Sequence, residues 1–133
     1  MASTFSVLVV ANVTATSPEL SAALRERAAR NPCRFTLIVP AARGPSGRAR
    51  VEEAVAHLRA EGLDVDGQLG DRDPTAAFHD VWNPAAFDEI VVSTLPTGPS
   101  RWLQVDLPHR IERATGVPVR HVVAAREDAR ERA

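Results

Sequence analysis

Five short apolar runs rich in β-branched residues recur along the chain: "FSVLVVA" (5–11), "RFTLIVP" (34–40), "LDVDGQL" (63–69), "FDEIVVS" (87–93) and "VPVRHVV" (117–123). Segments with helical periodicity separate them. Strands alternating with helices at this spacing predict an α/β fold: a doubly wound five-stranded parallel sheet, with right-handed crossovers placing helices on both faces in three αβα layers. The nearly continuous apolar character of 5–11 suits a central strand covered on both sides. The alternation in 63–69 suits an edge strand. With 133 residues, 44% of them hydrophobic, the chain can bury one core but not two. Residues 1–125 therefore read as a single domain, and "REDARERA" (126–133) as a solvated, charged tail.

Helix boundaries follow from local chemistry. Ser17 is placed to cap a first helix over 18–29, with Pro18 in its first turn and Leu20 and Leu24 facing the sheet. "AARGPSGRAR" (41–50) reads mostly as a mobile surface loop, followed by a second helix over about 47–61. Val51, Val55 and Leu58 form its inner stripe, and Gly62 stops it. Asp73 caps a third helix running from Pro74 to about Trp82. A fourth carries Leu103, Leu107, Ile111 and Ala114 on one face.

Composition excludes several functions. Sixteen basic residues against 17 acidic ones leave no field that would draw the chain to nucleic acid or an anionic membrane. All the basic residues counted are arginines, so a single arginine carries little information about function. A lone cysteine, Cys33, cannot form an intrachain disulfide and fits a reducing compartment. With no His or Asp beside it in sequence, it reads as a buried strand residue rather than a nucleophile. The N-terminal apolar run lacks a basic flank and is too short to span a bilayer, which makes a cytoplasmic location the expectation. His57, His79, His109 and His121 form no zinc spacing. His79 and Asp80 diverge on a helix, and Asp71 with Asp73 supplies too few ligands for a cation. No catalytic base or metal set is visible for ATP hydrolysis, so no enzymatic activity is expected.

In doubly wound sheets, ligands bind beyond the carboxyl ends of the strands. The candidate positions are then the loop from Asn12 to Ser17, the approach after Val39, the turn from Gly70 to Asp73, and the long loop from Ser93 to Asp106. That last loop holds Pro96 and Pro99, which remove N–H donors a phosphate cradle needs. Thr94, Thr97, Gly98, Ser100 and Arg101 remain as anion-binding candidates, against a reading in which they only close turns. Asp106 at the start of the fourth helix would cap it and repel a second anion by about 4 kcal/mol at 4 Å and an effective dielectric near 20. Trp102 reads as packing beneath that helix rather than as an exposed contact.

In register, "VLVVANVTATSPEL", "GDRDPTAAFHDVW" and "DEIVVSTLPTGPSRWLQVDLPHRIERATGVPV" resemble the universal stress protein family along nearly the whole chain. The resemblance implies strand order 3-2-1-4-5, ATP binding in many members, and dimers formed through the last strand. It also locates the departures. The family's phosphate motif G-x2-G-x9-G-[ST], laid without a gap, falls on Ser93, Pro96, Asp106 and Leu107, none of which matches. The acidic residue that commonly follows the first strand corresponds to Asn12. The expectation is a regulatory or interaction module without standard ATP binding and with no cofactor. The alternative is a sensor that weakly holds a nucleotide or other anion through the variant loop. If the order is 3-2-1-4-5, "VPVRHVV" lies at a sheet edge, and a homodimer through Val119, His121, Val122 and Val123 is expected.

Overall fold

The computed structural model describes residues 4–41, 44–95 and 106–124. The elements alternate as β1 (Phe5–Val10), α1 (Pro18–Arg30), β2 (Cys33–Pro40), α2 (Pro45–Ala60), β3 (Val65–Gly70), α3 (Pro74–Val81), β4 (Glu89–Thr94), α4 (Leu107–Thr115) and β5 (Val119–Val123). The strands form one parallel sheet in the order β3-β2-β1-β4-β5. This is the doubly wound topology that the alternation implied.

Side chains alternate across β1 and divide the core in two. Val7 and Val9 meet Leu20 and Leu24 of α1 and Ala54 and Leu58 of α2 on one face. Leu8 and Val10 meet Ala77 and Phe78 of α3 and Leu107 and Ile111 of α4 on the other. With both faces covered, Val7 to Val10 are all fully buried, and the central run is apolar throughout for that reason.

Ser17 caps α1 as expected, its hydroxyl accepting from Leu20 N at 3.1 Å. Asp73 caps α3 by accepting from Thr75 N at 3.0 Å, and its own N–H is held by Asp71 Oδ1 at 2.9 Å. Three expectations need correction. The segment read as a loop is helical from Pro45, because Gly44 takes φ 124° and Pro45 fixes the next φ. In α2, Ala54 is fully buried and Val55 only partly so, because the inner stripe runs Val51, Ala54, Leu58. On α4, Ala114 is exposed while Leu107 and Ile111 are buried; Leu103 and Trp102 lie outside the described residues.

At the amino ends of the strands, the Arg27 guanidinium grips the Glu89 carboxylate, with Nε 2.8 Å from Oε1 and Nη2 on Oε2. It also lies 4.9 Å over the Phe5 ring. The bonds from Arg27 hold the Glu89 pKa below the ordinary carboxylate range. Cys33 is buried beside them, and burial raises its thiol pKa. No described helix is long and apolar enough to cross a membrane.

Candidate functional site

The carboxyl ends of β1, β2, β4 and β5 form a polar crest, and its residues are bound mainly to one another. Asn12 follows β1. Its Nδ2 donates to Pro40 O at 2.8 Å, and its Oδ1 accepts from Arg50 Nη1 at 2.6 Å. One amide thus ties the exits of β1 and β2 to α2. A carboxylate at position 12 has no donor for the Pro40 carbonyl, so this contact requires an amide.

Ser93 is fully buried near the end of β4, where its hydroxyl pairs with Thr14 Oγ1 at 2.7 Å. Thr94 is also buried, with its hydroxyl 2.6 Å from His121 Nε2 on β5. Partial desolvation of the His121 ring lowers its pKa, opposed in part by the Asp106 charge. Val39 points into the core on the α1 and α2 face and is fully buried. Four of the five anion-site candidates, Thr97, Gly98, Ser100 and Arg101, together with Pro96 and Pro99, lie outside the described residues.

Asp106 precedes α4 but does not cap it with its side chain. Its Oδ2 lies 3.2 Å from His109 Nδ1 instead. The expected cap, with its use of the helix dipole, is therefore corrected. The backbone gives the reason: at φ 52° and ψ 52° the carboxylate is turned away from the first amides. Asp106 is the one non-glycine residue with positive φ among those described.

Between the β1–α1 turn and α2 lies an open cleft of about 250 Å³, lined by Asn12, Val13, Thr16, Arg50, Glu53 and Ala54. Val13 is 55% exposed at its rim. Thr14 and one wall of this cleft fall in the candidate loop 12–17, whereas Arg50 and the α2 wall escaped the sequence reading, because only the fold brings them beside that loop. Among the described residues, no group of three or more His, Cys, Asp or Glu side chains could hold a metal ion.

On the β5 edge, His121 and Val123 are exposed and Val119 is half buried. Val122 turns inward and belongs to the core beside α1. Its side chain is therefore not a free surface group, contrary to its expected place in a dimer contact.

No family model and no curated protein matches the chain. A solved structure, described as a universal stress protein in complex with cAMP, superposes with a TM-score of 0.64 at 18% identity. The match covers 90% of this chain and 97% of that one. At this identity the likeness concerns the fold, and the chain has the three-layer architecture and the 3-2-1-4-5 sheet of a universal-stress-protein-like domain.

Proposed function

We propose that the chain is a non-enzymatic regulatory or interaction module that works as a homodimer and does not bind ATP in the standard pose. The observation that carries this reading is the self-satisfied crest. Asn12 and Thr14 in the turn after β1, Ser93 and Thr94 at the end of β4, and His121 within β5 spend polar atoms on bonds to the protein. A nucleotide seated on these groups must first break these hydrogen bonds, of which the buried Thr14–Ser93 pair costs about 1–3 kcal/mol if a partner is left unpaired. The Asp106 carboxylate, exposed beside the start of α4, adds repulsion toward a triphosphate.

A second reading is favoured by the cleft beside Asn12 and by the cAMP complex of the structural neighbour. Arg50 offers a guanidinium at the cleft wall, which suits a singly charged cyclic phosphate better than a triphosphate. In this reading the chain is a small-molecule sensor.

Calorimetric titrations with magnesium ATP and with cAMP separate the two. The interaction-module reading expects neither ligand to bind more tightly than about millimolar. Micromolar ATP affinity overturns it. Micromolar cAMP affinity that is lost in Arg50→Ala establishes the sensor in its place.

A further inference from the structure

At each edge of the sheet, among the described residues, a helix side chain meets one outward backbone group of the edge strand. In a parallel strand, the backbone polar groups of successive residues point alternately to the two sides. Asp64 O accepts from Phe35 N at 2.9 Å and Gly70 O from Ala41 N at 3.4 Å. Even-numbered positions of β3 therefore face β2, while Val65, Gly67 and Leu69 turn their backbone groups outward.

Arg59, in the last turn of α2, reaches this outward row. Its Nε donates to Val65 O at 3.0 Å, and its Nη2 meets Asp66 Oδ1 at 3.0 Å. The turn at Gly62, with φ 86°, brings the end of the helix back alongside the strand. A strand adding to β3 would stand about 4.8 Å away and bring its own N–H to that carbonyl. The guanidinium already occupies the place. The side chains of the Arg59–Asp66 pair are 58% and 71% exposed, so as an ion pair it adds little to stability. Beyond it, Gly67 offers an incoming strand no side-chain contact.

The β5 edge is finished in a similar way, with one outward group met by a side chain. Ala124 N donates to Thr94 O at 2.9 Å, so Val119, His121 and Val123 face outward. Glu112 Oε2 meets Val119 N–H at 3.4 Å. Among the described residues, no side chain bonds to the outward backbone groups of His121 or Val123.

We infer that Arg59 is an edge guard: by occupying the Val65 carbonyl it hinders the addition of a strand to β3. The guard on β3 stands whether or not β5 dimerises, and the test keeps the two apart. In the full chain carrying Val123→Arg, which disables the β5 edge, Arg59→Ala, Arg59→Lys and Asp66→Ala are compared by sedimentation velocity over a wide concentration range. Backbone deuterium exchange at Gly67 and Leu69 reports the site. For Arg59→Ala, the sedimentation coefficient rises with concentration and exchange at both amides slows in the associated form. Asp66→Ala keeps the carbonyl bond and stays monomeric. Arg59→Lys keeps the charge but loses the planar fork, and falls between them. The Val123→Arg chain is formally neutral and Arg59→Ala returns it to the natural net charge of −1, so general repulsion opposes the expected association. A monomer at every concentration with unchanged exchange overturns the inference. So does association that tracks loss of the folded signal instead of protection at Gly67 and Leu69.

Discussion

Gly70 closes β3 where α3 comes nearest to the sheet. A Cβ added there would lie 2.7 Å from Ile38 Cγ2 and 2.8 Å from Ala77 Cβ. Both neighbours are fully buried, and the Ala77 methyl has no rotamer through which to escape, so α3 must shift off the sheet. Overpacking of this kind costs about 1–3 kcal/mol. Against it, replacing glycine by alanine restricts the unfolded chain and returns about 0.4–1 kcal/mol. Gly70→Ala is therefore expected to destabilise by about 1–2 kcal/mol, lowering the urea midpoint with an unchanged slope and the melting temperature by several degrees. Gly67→Ala is the internal comparison. There the obstructing atom is Val55 Cγ2 at 2.5 Å, on a partly buried side chain that can turn for about 1 kcal/mol. Its net effect should be smaller. Ala77→Gly removes the obstructing methyl, so the double variant Gly70→Ala with Ala77→Gly should lose less than the sum of the single losses. A neutral or stabilising Gly70→Ala, or strict additivity with Ala77→Gly, would refute the close approach of α3 to β3.

Leu58→Ala should cost about 2–4 kcal/mol in chemical denaturation, because the side chain is fully buried, whereas Glu53→Ala on the exposed face should stay within about 0.5 kcal/mol. Glu89 has a folded pKa below its unfolded value, so its stabilisation is fully present above the ordinary glutamate pKa of about 4.3 and is lost as pH falls through the folded value. Urea midpoints should thus place Glu89→Gln below the parent at neutral pH, with the gap closing in acid. His121 has a lowered folded pKa, so the stability tied to its neutral form is complete above about pH 6.5 and declines as pH falls below it; His121→Asn should flatten that part of the profile. If β5 forms a homodimer, light scattering should give twice the chain mass, and Val123→Arg should halve it without changing the melt, since Val123 is 46% exposed. Val122→Arg should instead unfold the chain, because Val122 is part of the core.

The fold was legible because its signals are local. The uninterrupted apolar run of β1, the alternation in β3, and the caps at Ser17 and Asp73 each depend on residues a few positions apart. The crest was less legible because its bonds are not local. Thr14 finds Ser93 across 79 positions and Asn12 finds Arg50 across 38, and no periodicity announces either pair. Asp106 shows a different limit. An acidic residue before a helix reads as a cap, but a left-handed backbone aims it elsewhere, and side-chain type alone does not encode that angle. Ala54 and Ala114 show that alanine is too small to reveal its face: the first is buried and the second exposed.

The clasp between Arg27 and Glu89 also bears on how the chain can be made. It joins partners 62 positions apart, and beside it Ser6 N–H donates to the Asp88 carboxylate across 82. Strand β1, the first to leave the ribosome, needs β2 on one side and β4 on the other. Until β4 emerges, the most apolar strand has an open flank and Arg27 lacks its carboxylate. The first three strands therefore do not form a self-sufficient half, and folding should wait for most of the chain and then proceed as one cooperative event.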